Sequence, residues 1–541
     1  MTSLPPFETH DVHNQPPPFE PRDLWADDVV LREAVAHESG AGFADRLAVY
    51  GALAGDELYR LGFDANRDRP RLRSHDRFGV RIDSVEFHPA YHRLMDAAKS
   101  HGVAGLSWHE PHAGAHVARA ALSYLHHQAD AGTSCPLTMT HAAVPVLRRE
   151  PALQQWADRA LAPHYDPRDL PIEQKAGVTL GMGMTEKQGG SDVRSNLTTA
   201  ASNDDGTYSL VGHKWFFSAP MSDGFLVLAQ AAGGLTCFLM PRLLPDGSKN
   251  AYRLIRLKDK LGDWSNASSE VEFCQARAWS VGQEGRGVAT IIEMVMLTRL
   301  DCMLGSAAQM RMALAQAVHH CRHRQTFGHR LIEHPLMANV LADLAIESEA
   351  ATAFAMRVAR AVDHAPHSPT EAAFARIATA AGKYWICKRA PVFVNEAQEC
   401  LGGAGYVEES ILPRLYRQAP LNSIWEGSGN IQCLDVLRSL SRESQCDVAL
   451  LAELDSAGGR DARYDTFVDG LLSDLPNGNE ASARYLVERL ALALQAAVLL
   501  RAHSPIADAF IASRLLGQHG FALGTLARDM DFSGVIARAL P

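Results

Sequence analysis

Near residue 177 the periodicity of this chain changes from helical to strand-like, and near residue 287 it changes back. Between those points apolar residues alternate or run in short bursts: Tyr208-Ser-Leu-Val-Gly, Phe225-Leu-Val-Leu-Ala, Leu235-Thr-Cys-Phe-Leu-Met, Tyr252-Arg-Leu-Ile and Glu270-Val-Glu-Phe. Turn-forming runs such as Asn203-Asp-Asp-Gly and Pro245-Asp-Gly separate them. Short strands joined by tight turns predict a middle β domain, residues 177–287, closed as a small barrel. Residues 29–176 before it read as mostly helical. After it, Val288 to Cys321, Leu336 to Val362 and Glu371 to Leu401 are long helical stretches, with Pro369-Thr370-Glu371 as a start signal. Such lengths suit a four-helix bundle over 288–440. Residues 441–541 carry an apolar stripe through Leu486, Leu490, Leu494 and Val498 and read as an extra C-terminal helical domain. Prolines at 16, 17, 18 and 21 make residues 1–28 an extended arm. The fold class is therefore mostly α with a middle β domain.

A chain of 541 residues is too long for one core, and two to four domains are expected. Its 47% apolar and 21% charged content are those of a soluble globular protein, and its formal net charge of −10 excludes a global basic surface for nucleic acid or membrane. The N-terminus lacks the basic-then-apolar profile of a signal peptide, and no window approaches the ~18 apolar residues of a membrane span. Nine scattered cysteines show no zinc spacing, so no metal site is expected, and such usage fits a reducing cytosol. One local exception to the charge is Arg67 to Arg81, where six Arg stand against three Asp over residues 64–81. That segment reads as a solvated loop, with phosphate contact as the alternative.

Four segments carry the material for chemistry. Gly183-Met-Thr-Glu-Lys-Gln-Gly-Gly-Ser-Asp-Val193 follows a short apolar run. Its glycines let backbone N–H groups approach a flat or anionic ligand closely, and its hydroxyls add donors; a Gly-Gly-Ser turn alone is more often just a polar turn. Lys214-Trp-Phe-Phe-Ser218 is an aromatic strand end. Arg324-Gln-Thr-Phe-Gly328 offers a guanidinium fork suited to phosphate, though taken alone it reads as surface. In Asn422-Ser-Ile-Trp-Glu-Gly-Ser-Gly-Asn430, Glu426 stands among apolar neighbours that would raise its pKa; a helix-starting acid is the plainer reading.

In this order the segments resemble those of the acyl-CoA dehydrogenase superfamily over roughly residues 90–440. The first resembles the family's Met-Thr-Glu-x-x-Gly-Ser-Asp, and the second its Lys-x-Trp-Ile-Thr, with Phe216 and Ser218 in the Trp and Thr positions. Arg324 to Gly328 resembles Arg-x-x-Phe-Gly, Leu401-Gly-Gly-Ala-Gly405 the family's glycine turn, and Trp425-Glu-Gly-Ser428 its Tyr-Glu-Gly-Thr. The resemblance implies FAD, held through Met182, Met184, Thr185, Gly190, Ser191, Phe216, Phe217 and Ser218, and through Ile424, Ser428 and Asn430 around the base. Arg324 would meet the pyrophosphate and Phe327 the adenine side from a neighbouring subunit, and Leu401, Gly402 and Gly403 would approach the same dinucleotide. Glu426 would remove the α-proton of an acyl-CoA thioester while hydride leaves Cβ for the flavin. Some family members place that base on the first bundle helix, one residue before an Arg; here that residue is Thr298. Pro335 and Glu399 stand where the family usually has Gln.

The strings Glu-Lys-Gln-Gly-Gly-Ser-Asp and Trp-Glu-Gly-Ser-Gly-Asn, the Asn14-Gln15-Pro16 arm and the extra C-terminal domain narrow the resemblance to the AidB branch of that superfamily. This implies a cytoplasmic homotetramer acting in the response to DNA alkylation, binding duplex DNA, with weak dehydrogenase activity. The alternative is an ordinary dehydrogenase of a short or branched acyl-CoA without DNA binding. Charge complicates the DNA reading: residues 441–541 hold nine Arg and no Lys against thirteen Asp and Glu. A stripe of Arg484, Arg489, Arg501 and Arg514, or the Arg67–Arg81 segment, would have to serve.

Overall fold

The computed structural model describes residues 9–541. Of the expected arm, residues 1–8 lie outside the described residues; the part that follows lies against the far end of the bundle, where Asn14 donates to the Gln325 carbonyl and accepts from its N–H, both at 2.8 Å, and Phe19 stacks on His319. Helices α1 (Val29–His37), α2 (Ala44–Leu53) and α3 (Tyr59–Arg67) follow.

The arginine-rich segment is an antiparallel hairpin, β1 (Arg71–His75) and β2 (Arg81–Glu86), where a loop was expected. Arg71, Arg73 and His75 face solvent on alternate positions, and Leu72 pairs with Val85 to pack on the barrel core. The turn is closed by the Asp76 carboxylate, which accepts from Phe78 and Val80 N–H groups, with Gly79 at φ 83°.

Helices α4 (Pro89–Ser100), α5 (Leu106–His109), α6 (Ala115–Ala129), α7 (Ala131–Leu147) and α8 (Gln154–Leu161) lead to seven strands. These are β3 (Leu180–Gly183), β4 (Thr199–Ser202), β5 (Tyr208–Ser218), β6 (Gly224–Ala231), β7 (Gly234–Pro241), β8 (Tyr252–Leu257) and β9 (Ser268–Val281). Pairings β6–β4, β4–β5, β5–β9, β9–β7 and β7–β6 close a ring, so the expected barrel is present. β3 lies parallel on β6, and β8 lies antiparallel on β9. The two-residue period sorts the apolar side chains. Phe225, Val227, Phe238 and Met240 fill the barrel with Leu210, Phe217 and Phe273, whereas Leu226, Leu228 and Leu239 face α7, α8 and the first bundle helix.

That helix is α9 (Gly287–His323); a tiny hairpin, β10 (Gln325–Thr326) and β11 (His329–Arg330), joins it to α10 (Pro335–His364) and α11 (Pro369–Glu399). Ser368 caps α11 by accepting from Glu371 N–H, with Pro369 at the first helical position. After α12 (Leu412–Gln418), α13 (Gly429–Arg442) packs on α11. The chain ends with α14 (Ser444–Asp455), α15 (Ala462–Asp474), α16 (Ala483–Arg501), α17 (Ala507–Phe510) and α18 (Phe532–Ala539). α14 and α16 pack on α11 and α18 packs on α10, so the stripe of Leu490, Leu494 and Val498 joins one hydrophobic cluster with the bundle and the N-terminal helices.

Candidate active site

Glu426 sits in the short connection before α13, in a left-handed conformation (φ 58°) that a non-glycine residue adopts only when its surroundings hold it there. Three successive carbonyls explain the hold. The Trp425 oxygen accepts from Lys383 Nζ at 2.6 Å; that of Glu426 accepts from Arg299 Nε and Gln432 Nε2, both at 3.0 Å; and that of Gly427 accepts from Lys383 and Gln432. Arg299 is fixed in turn by Asp435, which also takes Arg376. α9, α11 and α13 thus converge on one peptide segment.

The Thr298 hydroxyl donates to Glu426 Oε2 at 2.7 Å. Burial pushes the Glu426 carboxyl above the usual carboxylate range, opposed by that hydrogen bond and by the charges of Lys383 and Arg299. The result is a carboxylate able to take and hold a proton. Cys135 of α7 belongs to the apolar cluster on which Trp425 packs. Its thiol is pushed up to about 12 by burial, the Glu426 charge acts in the same sense, and a hydrogen bond with Ser218 opposes.

The barrel contributes its motif loop. Met182 and Met184 pack on the same cluster as Trp425, Met294 and Leu297. Beyond them the Trp215 N–H donates to the Thr185 carbonyl at 2.9 Å, tying the first motif to the second. A stronger tie is a fully buried ion pair, Lys214 Nζ to Glu186 Oε1 at 2.8 Å, in which Glu186 also accepts from Leu197 N–H at 2.7 Å. It fixes the loop that presents Thr185, Gly190 and the exposed Ser191. At Gly190 a Cβ would come within 2.7 Å of the Thr185 hydroxyl, so the glycine keeps that hydroxyl in place.

Strand alternation corrects one expectation. Phe216 is 52% exposed on the outer face of β5, and Ile424 is likewise exposed. Phe217 is fully buried inside the barrel, 4.3 Å from the Phe225 ring, and its carbonyl already accepts from Ser269. Two neighbours on a strand point to opposite faces, so the Phe217 side chain fills the barrel and only its backbone is left to meet a ligand on the Phe216 side.

The remaining predicted residues lie elsewhere. Thr298 and Arg324 both belong to α9 or its C-cap, and 26 residues of helix separate them by about 39 Å. At that far end the α9 and α11 termini abut through Cys321 and Cys400, bringing together Arg324, the exposed Phe327, Leu401 and the Gly402-Gly403 turn. A Cβ at Gly402 or Gly403 would meet open space. Arg324 donates to the Asn14 carbonyl at 2.7 Å. Ser428 is the exposed N-cap of α13, and Asn430 accepts from Arg484 Nε at 2.8 Å.

Three of the four arginines of the C-terminal stripe are committed to the fold, while Arg484 is exposed and donates to Asn430. Arg514, 5% exposed, pairs with Asp343 and Glu347; Arg501 pairs with Glu453, and Arg489 with Asp474. None of these offers an unpaired charge to a phosphate. In the hairpin, Arg67, Arg71, Arg73 and Arg81 pair with Asp64, Asp68, Glu86 and Asp83.

Sequence reasoning missed Lys383, Gln432, Cys135 and the Glu186–Lys214 pair. Lys383 had one signal, a lone lysine within the apolar stretch Thr379 to Ile386. These residues suit a flavin: Phe216 and Ile424 offer exposed apolar surface, and a Cβ at Gly189, Gly402 or Gly403 would meet nothing within 4 Å, which leaves room for close approach.

Comparison with known proteins agrees with this geometry. Residues 14–167 match the adaptive response protein AidB N-terminal domain, residues 181–276 the acyl-CoA dehydrogenase middle domain, and residues 285–441 the acyl-CoA dehydrogenase C-terminal domain. The chain is 49% identical over 503 residues to AidB of Escherichia coli (strain K12), named as an acyl-CoA dehydrogenase, covering 92% of this chain and 93% of that protein. It is 31% identical over 431 residues to acyl-CoA dehydrogenase family member 11 of Caenorhabditis elegans, covering 76% and 69%. The structure of C. elegans ACDH-11 in complex with C11-CoA superposes with a TM-score of 0.85 at 25% identity, covering 98% and 95%. The chain belongs to the AidB branch of the acyl-CoA dehydrogenases, oxidoreductases acting on CH–CH donors.

Proposed function

We propose that this protein is an FAD-dependent acyl-CoA dehydrogenase whose base is Glu426. The supporting observation is a half-buried carboxylate, held by Thr298 and by its own clamped backbone, next in the chain to Trp425, which packs on one apolar cluster with Met182 and Met184 of the barrel motif. Glu426 takes the α-proton of the thioester, and Trp425, packed on the apolar cluster, excludes water on its side. Thr298 orients the carboxylate, and Lys383 and Arg299 moderate the effect of burial on it. FAD, when bound, accepts the hydride that leaves Cβ. Thr185, Ser191, Phe216 and Ser218 would hold its ring end. Arg324, Phe327 and the Gly402-Gly403 turn, about 39 Å along α9 from Thr298, would hold the dinucleotide of a neighbouring subunit, which calls for a homo-oligomer such as a tetramer. Among the described residues no helix is long and apolar enough to cross a membrane, and a cytoplasmic location fits.

Anaerobic titration of the purified flavoprotein with acyl-CoAs from short to medium chain, including C11-CoA, tests this reading. Bleaching of the flavin band is expected, with Glu426→Gln slower by ~10²-fold or more. No bleaching with any chain length would sink it.

A second reading, duplex binding in a response to DNA alkylation, would use the hairpin. Arg67, Arg71 and Arg77 are exposed there, and surface ion pairs of this kind are worth only ~0–1 kcal/mol, so phosphate can displace them. Binding should weaken with salt and in Arg71→Glu/Arg77→Glu; unchanged affinity in that variant would remove it.

A further inference from the structure

The segment that carries Arg324 is held by a residue 310 positions earlier in the chain. Asn14, on the N-terminal arm, grips the start of the β10–β11 hairpin with its whole amide. Its Nδ2 donates to the Gln325 carbonyl and its Oδ1 accepts from Gln325 N–H, both at 2.8 Å. These are the two hydrogen bonds that a neighbouring strand would exchange with that residue. Asn14 itself is in the left-handed region (φ 55°), which asparagine tolerates better than most side chains do. In that conformation its carbonyl accepts from Arg324 Nη1 at 2.7 Å. One residue therefore fixes the backbone and the guanidinium of the motif together.

This contact directs Arg324 without neutralising it. Arg330, on the other strand of the same hairpin, is paired with Glu333, whereas among the described residues no carboxylate pairs with Arg324. An arginine held at one nitrogen by a neutral carbonyl keeps its charge and its remaining N–H donors for an anion. Ordering a free arginine on binding costs side-chain entropy, and Asn14 removes part of that cost before the anion arrives. The rest of the arm has anchors of its own. His319 Nε2 donates to the Pro17 carbonyl at 2.9 Å, Phe19 stacks on the His319 ring at 4.3 Å, and Glu20 accepts from Gln316 at 2.6 Å. Asn14 is thus not required to keep the arm in place.

We infer that Asn14 is a positioning residue for cofactor binding, holding the Arg324 guanidinium in the direction in which it meets a pyrophosphate. The inference rests on the dehydrogenase reading, in which that pyrophosphate belongs to FAD bound with a neighbouring subunit. The three hydrogen bonds lie at the surface, where water competes for them, so the effect is that of orientation and is modest.

Flavin affinity, not turnover, reads it. Asn14→Gly keeps the left-handed backbone and its carbonyl and removes only the amide. FAD is titrated into the deflavinated full-length protein, with the rate of flavin release from the holoprotein as a second readout that avoids the apoprotein. Asn14→Gly should weaken FAD by about threefold to tenfold and speed its release, with Tm and oligomeric state unchanged. Arg324→Ala should weaken it by about tenfold or more. Because Asn14 acts through Arg324, adding Asn14→Gly to Arg324→Ala should change nothing further, whereas a residue with a merely structural role would add its own loss. Additive losses, or wild-type affinity in Asn14→Gly beside weakened affinity in Arg324→Ala, would overturn the inference and leave the dehydrogenase reading standing. Wild-type affinity in Arg324→Ala would overturn the phosphate role of Arg324 and the inference with it.

Discussion

Thr298 and Glu426, 128 residues apart in the chain, share a 2.7 Å hydrogen bond in which the hydroxyl donates to the carboxylate. A carboxylate at 298 would have placed two acids within hydrogen-bond distance, one of them forced to stay protonated. A hydroxyl instead favours the charged form of Glu426 while burial disfavours it. Thr298→Val keeps the shape and removes the donor, so the Glu426 pKa should rise further. The base acts deprotonated, so thioester-dependent flavin reduction climbs as pH passes that pKa. In the variant this limb should move to higher pH by about half to one unit, the scale of one hydrogen bond. Stopped-flow reduction followed from acid to neutral pH reads the shift, and an unmoved limb would mean that Thr298 does not tune the base.

Lys383 makes a separate prediction because it touches backbone oxygens on both sides of Glu426 and never its carboxylate. Lys383→Met removes a charge that lowers the Glu426 pKa and leaves the Trp425 oxygen without its donor. Flavin reduction should slow at neutral pH, its limb should move to higher pH, and stability should fall by about 1–3 kcal/mol for the unsatisfied buried carbonyl. Lys383→Arg restores charge and donors and should recover part of both effects. Slower reduction that Arg does not rescue, with the pH limb unmoved, would mark Lys383 as a packing residue only.

The parts of the site legible in the sequence were those whose chemistry is local. Gly190, Thr185 and Ser191 fall within one string, and Glu426 stands between Trp425 and Gly427. What escaped depends on chain segments meeting. Lys383 is 42 residues from the Trp425 oxygen that it holds, and Lys214 is 28 from Glu186. The burial of the Phe217 side chain escaped for another reason: the string Trp-Phe-Phe does not say which aromatic faces the barrel, and only the register of β5 on β9 decides it. In the hairpin, arginines on the outer face hid a two-residue alternation that Leu72 and Val85 complete. The barrel and the long helices were readable because each rests on a periodic pattern many residues long.

Arg514 illustrates how charge counting misleads. It reads as a candidate for phosphate, yet it joins the segment after α17 to α10 through Asp343 and Glu347. Burial alone would raise the Glu347 pKa, but Arg389 and Arg514 hold it down to about 2 from an ordinary 4.5. With a depressed folded-state pKa, Glu347 contributes stability that is present above about 4.5 and lost as pH falls through about 2. Arg514→Met should cost about 3–5 kcal/mol, because it leaves buried carboxylates short of a partner. It should also move the onset of acid unfolding to higher pH. Thermal melts at pH 7 and an acid titration by circular dichroism measure both. Wild-type stability in the variant, with reduced duplex affinity, would restore Arg514 as a nucleic-acid contact.

The separation along α9 of Arg324 from Thr298, the hydrogen-bond partner of Glu426, yields a test of how the flavin site is assembled. If one subunit supplies Glu426 and its neighbour supplies Arg324, two defective chains can make one sound site. Arg324→Ala alone should lose flavin, at ~1.5–3 kcal/mol for each charged hydrogen bond to the pyrophosphate. Glu426→Gln alone should keep flavin and lose reduction by thioester. In an oligomer of both chains, the site built from Glu426 of the first and Arg324 of the second has no defect, whereas the complementary site has two. Co-expression with two affinity tags, followed by tandem purification, isolates the mixed species. Its thioester-dependent flavin reduction should exceed that of both parents by ~10-fold or more, since a single restored base is worth at least that factor. If both groups served one site of one chain, every site would keep one defect, and mixing would restore nothing.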